Sequence, residues 1–168
     1  LLKLWQGLGY YNRVRNMQKA AKQILEAHNG EFPRTYTDIL TLHGIGEYTA
    51  GAIASNCFDE PTPAVDGNVL RVLSRLTEDE ADIAKQSTKK KYAEMLRGIY
   101  PEQNCGDFTQ GLMEIGAIVC VPNGAPKCDV CPVRAYCGAC EHGTMRSYPI
   151  KAKKKERKIM EMTVFLLE

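Results

Sequence analysis

No run of apolar residues in this chain approaches the roughly 20 that a membrane-crossing helix requires, and no basic start with an apolar stretch behind it marks a secretory signal. Membranes are thereby set aside as partners. An excess of one charge is also lacking: 22 Lys and Arg stand against 20 Asp and Glu, and a net charge of +2 is too small to argue for a nucleic-acid partner by itself. There is no internal repeat, almost no strand-like alternation and no initiating Met. The first residues read as mid-helix and the last, "MTVFLLE", as a strand without a partner, so the sequence is expected to be part of a longer protein. With no export signal the compartment is expected to be reducing, and seven cysteines then favour a metal site over a disulfide framework.

What is present is helical. Of the 168 residues 44% are hydrophobic, enough for one globular core or two small ones. Apolar residues recur at helical spacing in Val14, Met17, Ala21, Ile24 and Leu25, in Val69, Val72, Leu73 and Leu76, in Tyr92, Met95, Leu96 and Ile99, and in Leu112, Ile115 and Val119. Turn signals such as "PTPAVDG" and "YPEQNCG" separate them. The expected fold class is all-α. A helical domain is read over residues 1–119 with a hairpin near 37–57, a cysteine-rich loop region over 120–148, and a basic linker leading to a strand over 149–168, where "KAKKKERK" reads as a solvated charge run.

Three groups of residues carry chemistry. In "LHGIGEYTAGAI" a short helix meets a tight turn and then a second helix beginning near Glu47; without a Cβ, Gly44 and Gly46 can take positive φ and let an anion approach the amides at that helix start. An ordinary helix corner capped by glycine is the alternative. Asp66, in "PAVDGNVLRVLSR", stands where a helix N-cap is expected, and the helix dipole there favours a charged carboxylate, so capping and chemistry are compatible. Five cysteines, Cys120, Cys128, Cys131, Cys137 and Cys140, fall within 21 residues; Cys128, Cys131, Cys137 and Cys140 form two C-x-x-C pairs that suit a tetrathiolate zinc site.

Taken together, "TLHGIGEYTAGAI" and the aspartate twenty residues after its second glycine resemble the helix-hairpin-helix superfamily of DNA base-excision glycosylases, and "LWQGLGYYNRVRN" extends the likeness to the MutY-type adenine DNA glycosylase family over nearly the whole chain. The resemblance implies a helix-hairpin-helix glycosylase fold with a cysteine-ligated iron-sulfur loop. In it His43, Gly44 and Gly46 grip the DNA backbone, His43 replacing the proline common in that hairpin. Asp66 is implied to be the catalytic carboxylate, opposing the oxocarbenium-like sugar formed when an N-glycosidic bond breaks. Asn68 resembles the asparagine that holds the aspartate and the attacking water. Tyr48 stands where bifunctional relatives such as endonuclease III carry a Schiff-base lysine; a phenol forms no imine, which implies a monofunctional enzyme.

Tyr10 matches an aromatic wedge at the lesion pair and Gln110 a residue beside the extruded adenine. Cys120, Cys128, Cys131 and Cys137 resemble the four ligands of a four-iron four-sulfur cluster, with one residue more than usual between the first two; zinc is the alternative. Lys127 and Arg134 stand in these loops where phosphates can be met. The residues after Pro149 resemble the linker and first strand of a C-terminal Nudix-like domain, and the glutamate that protonates the leaving base in such enzymes has no match within residues 1–168, so this stretch alone is expected to lack full activity. The implied partner is double-stranded DNA carrying A·8-oxoguanine or A·G mispairs, met by a monomer in the cytoplasm or nucleoid of a bacterium, or the nucleus or mitochondrion of a eukaryote. A thymine-mismatch glycosylase and a non-catalytic DNA-binding module remain as alternatives.

Overall fold

A computed structural model describes residues 1–152 and 162. Helices α1 (Tyr11–Ala27), α2 (Tyr36–Leu40), α3 (Glu47–Phe58), α4 (Gly67–Thr77), α5 (Gln86–Arg97), α6 (Cys105–Glu114) and α7 (Gly138–Glu141) follow in chain order, with a π-helical turn at Ile115–Val119 and single 3-10 turns at Leu2–Trp5, Cys128–Val130 and Arg134–Tyr136. No strand occurs among the described residues, in agreement with the all-α expectation. The strand expected in "MTVFLLE" and most of the basic run lie outside them.

Two apolar centres hold the helices together. α4 and α5 meet through Val69, Leu70, Leu73, Tyr92 and Leu96, all buried, with Phe108 and Leu112 of α6 against them. The hairpin has its own centre in Ile39 of α2 and Ala50 and Ala54 of α3. Small residues there allow close approach: a Cβ on Gly51 would stand 2.3 Å from the Pro63 carbonyl oxygen, so α3 packs directly against the segment that leads to α4. α3 also packs on α6, which begins where the Asp59 carboxylate accepts hydrogen bonds from the amides of Asn104 and Cys105.

The helical face expected on α1 is only partly covered. Val14 is buried, but Met17 and Leu25 are 59% and 69% exposed and Ala21 is exposed, because none of the described residues packs over that side. Met95 and Ile99 likewise lie toward solvent while Tyr92 and Leu96 point inward. At the other end the chain stays fastened to the helical body as far as Ile150, whose carbonyl accepts from the Ile83 amide at 3.1 Å.

Candidate DNA-repair site

The hairpin comes first, because it fixes the start of α3. α2 is capped by Thr35, whose hydroxyl accepts from the Asp38 amide, whereas α3 begins at Gly46 with no side-chain cap, and Gly46, Glu47, Tyr48 and Thr49 are exposed. Those first amides are therefore open to an anion. The two glycines have different reasons to be there. Gly44 has φ +78, and a Cβ on it would lie 2.5 Å from the Asn16 side chain, so it is demanded by the fold. Gly46 has φ −101, an ordinary conformation for any residue, and a Cβ there would meet nothing within 4 Å. The expectation of positive φ at both glycines is thus corrected for Gly46, which extends into α3 instead of turning. α1 braces the hairpin: the Gln23 side chain accepts from the His43 amide at 2.9 Å and donates to the Thr41 carbonyl at 3.0 Å. Nothing in the sequence pattern singled out Asn16 or Gln23.

Asp66 sits at the N-terminus of α4, half-buried. One carboxylate oxygen accepts from the amides of Asn68 and Val69, both at 2.8 Å; the other accepts from the Asn68 side-chain amide at 2.9 Å. Capping is therefore real, and Asn68 fixes the second oxygen. Asn68 is held in turn. Its own oxygen accepts from Arg71 at 2.9 Å, and Arg71 donates further to the carbonyls of Gly116 at 2.6 Å and Cys120 at 2.8 Å. Burial lowers the Arg71 pKa from its ordinary value, with Cys120 and Asp66 acting against that fall and Arg75 adding to it. The π-helical turn brings Gly116 against Asn68 so closely that a Cβ on it would lie 2.5 Å from the Asn68 Cβ. Arg71 and Gly116 were not foreseen, since their partners lie 45 to 49 residues away and are mostly backbone carbonyls.

Around this centre the other expected residues are arranged less tightly. Tyr48 is 45% exposed and lines a groove shared with Gly46, Pro63 and Val65, the residue before Asp66. Gln110 is exposed on α6, its amide turned to Glu114 at 3.3 Å. Tyr10 projects, 82% exposed, from a left-handed position just before α1, with the Arg13 guanidinium 5.7 Å from its ring centre. Lys127 is exposed, while Arg134 is paired with Asp129 at 3.0 Å.

Cys120, Cys128, Cys131, Cys137 and Cys140 line one small chamber with Arg75 and Met145. Arg75, 5% exposed, donates to the Cys120 sulfur at 3.2 Å and to the Val121 and Tyr148 carbonyls at 3.0 Å. Burial, together with a hydrogen-bonded Cys140, pushes the Cys128 thiol up to about 11, and burial also raises Cys137.

A family model described as "HhH-GPD superfamily base excision DNA repair protein" matches residues 1–98. The chain belongs to the HhH-GPD superfamily. Among its curated relatives, an adenine DNA glycosylase of Buchnera aphidicola subsp. Schizaphis graminum is 40% identical over 155 residues, which is 92% of this chain and 44% of the relative. The adenine DNA glycosylase of Homo sapiens is 42% identical over 138 residues, 82% of this chain and 25% of that protein. The chain thus spans less than half the length of these relatives. Among solved structures a thermostable thymine-DNA glycosylase is similar with a TM-score of 0.67 at 29% identity, covering 82% of this chain and 63% of that one. A non-covalent endonuclease III–DNA complex is similar at 0.65 and 29%, covering 83% and 62%. The HhH-GPD match takes in the hairpin, Asp66 and Asn68 and ends just past α5, so the cysteine chamber lies beyond it. No helix among the described residues is long and apolar enough to cross a membrane.

Proposed function

We propose that this chain is part of a monofunctional adenine DNA glycosylase, acting as a monomer on double-stranded DNA and hydrolysing the N-glycosidic bond of adenine mispaired with 8-oxoguanine or guanine. The observation that carries the reading is the Asp66 carboxylate, fixed by two hydrogen bonds from Asn68 and one from the Val69 amide at a half-exposed helix start, in a chain whose relatives at 40% and 42% identity are adenine DNA glycosylases.

Breaking the bond leaves positive charge on the sugar ring, and a preorganised carboxylate stabilises that charge without reorganising at the moment of reaction. Adenine must first leave the base stack. Tyr10, planar and exposed, takes the place of the lost stacking, and Gln110 offers an amide to the adenine edge. Asn68 orients the water that attacks the sugar. Tyr48 borders the site without supplying a nucleophile, so the product is an abasic site on an intact strand. The uncapped start of α3, with Gly44 and His43 before it, takes a backbone phosphate; at Gly46 the absent Cβ serves that approach, since folding does not require it. Lys127 meets a second phosphate, and Arg134 does so on exchanging Asp129 for it.

Cys120, Cys128, Cys131 and Cys137 are assigned to a four-iron four-sulfur cluster. The donor set fits: five sulfurs share one chamber, and a guanidinium donates to one of them. When bound, the cluster supplies cross-linking of the loops that carry Lys127 and Arg134.

The deciding experiment is a glycosylase assay of the full-length protein on A·8-oxoguanine, A·G and T·G duplexes side by side. Adenine release is expected from the first two, with Asp66→Asn at least about 100-fold slower and its DNA affinity retained. Thymine release from T·G alone would favour the second reading, a thymine-mismatch enzyme, which the likeness to a thymine-DNA glycosylase structure keeps in view. Efficient borohydride trapping of a protein–DNA adduct would contradict the monofunctional assignment.

A further inference from the structure

The uncapped start of α3 opens sideways into a groove of about 600 Å³ whose opposite wall is α5. The walls are tied together where the Gln86 side-chain amide donates to the Glu47 carboxylate at 3.0 Å. Lys89 and Lys90 follow Gln86 by three and four residues and so share its face of α5, about 5 Å further along the helix. Both line the groove with Gly46 and Tyr48, Lys89 half-buried and Lys90 exposed. Three cationic side chains, Lys89, Lys90 and Arg97, face two carboxylates there. Of these, Glu94 is paired with Arg97 and Glu47 is drawn against α5 by Gln86. No carboxylate among the described residues forms an ion pair with Lys89 or Lys90, whereas Lys91, outside the groove, is held by Asp79 at 2.7 Å.

We infer that this groove carries the DNA strand onward from the hairpin, Lys89 and Lys90 each meeting a backbone phosphate next to the one taken at the start of α3. The inference rests on the DNA partner and the hairpin contact proposed above. A DNA strand bears a charge at every nucleotide, so a phosphate held at Gly46 brings its neighbours to the cations that border the same opening. Each lysine that meets one releases a counterion and adds affinity without reading a base. The tie between Gln86 and Glu47 keeps the one carboxylate at the α3 start turned toward α5, clear of the amides that take the first phosphate.

The salt dependence of duplex binding by the full-length protein tests this, measured by anisotropy on an A·8-oxoguanine duplex and on its fully paired counterpart. The double variant Lys89→Gln/Lys90→Gln is expected to bind both duplexes several-fold more weakly, with the slope of log affinity against log salt shallower by about 2. Lys91→Gln is expected to leave the slope at its wild-type value. An unchanged slope in the double variant, or an equal change in Lys91→Gln, overturns the groove and leaves the glycosylase reading standing. Should the double variant not accumulate as folded protein, Lys90→Gln alone decides: a slope shallower by about 1 is expected, and no change overturns the inference. A wild type without affinity for either duplex rejects the DNA partner and the groove with it. A wild type that binds DNA and releases no adenine, with the slope change intact, rejects the glycosylase reading alone.

Discussion

At the scale of single residues the site depends on how firmly Asn68 is pressed into place. Gly116 touches it where a Cβ would stand 2.5 Å away, and Arg71 pulls on its oxygen. Gly116→Ala is therefore expected to push Asn68 off the Asp66 carboxylate, costing about 1–3 kcal/mol of stability through overpacking and slowing adenine release by about 100-fold, the usual consequence of an ångström of misplacement. Single-turnover kinetics beside DNA binding by anisotropy would check it; release at the wild-type rate would mean that Asn68 has room to spare. Asp66 and Asn68 were legible in the sequence because a cap and a motif coincide at one place. Arg71 and Gly116 were not: in "DGNVLRVLSR" the arginine looks like any polar helix residue, and a backbone carbonyl accepting a hydrogen bond leaves no mark on the residue that bears it.

Among elements the hairpin, if it grips DNA as proposed, separates folding from binding. Gly44→Ala puts a side chain at φ +78, a strained conformation worth ~1–3 kcal/mol, and drives it into Asn16; a fall in melting temperature is expected together with weaker DNA binding. Gly46→Ala has neither fault. Its melting temperature is expected to match wild type while affinity for duplex DNA falls, and a titration that shows unchanged affinity would remove the hairpin from the DNA interface. Helix positions were largely legible, α3 beginning at Glu47 as read from the turn, since two strong glycine signals bound it. The inward face of α1 was not, because periodicity reports which residues are apolar and not whether anything lies against them: Met17 and Leu25 have the right spacing and remain in solvent. Nor does spacing alone reveal Gln23, which joins α1 to the hairpin through a single side chain.

For the molecule as a whole, the cysteine loops are tied back to the helical body at the end of α4. Glu78 accepts from His142 at 2.6 Å and from Thr144. The hydrogen bonds from Thr144 and His142 hold the Glu78 carboxyl below its ordinary value of 4.5, and the hydrogen bond to Glu78 and its charge raise His142 above 6.5. The stabilisation from His142 is full below 6.5 and fades as pH rises through its raised value; that from Glu78 is full above 4.5 and fades as pH falls through its lowered value. The melting temperature of wild type is expected to exceed that of His142→Asn most between those two ordinary values, with the gap closing toward alkaline pH; a gap independent of pH would show that the tie is not ionic. Asp66 caps α4, and the proposed function gives it a second duty in catalysis. Asparagine is as good a helix cap as aspartate, so exchanging the two changes charge and spares architecture. Under the proposed function, a cell carrying that exchange would make a sound, well-folded protein that settles on its mispair without releasing the base, and so occupies the lesion.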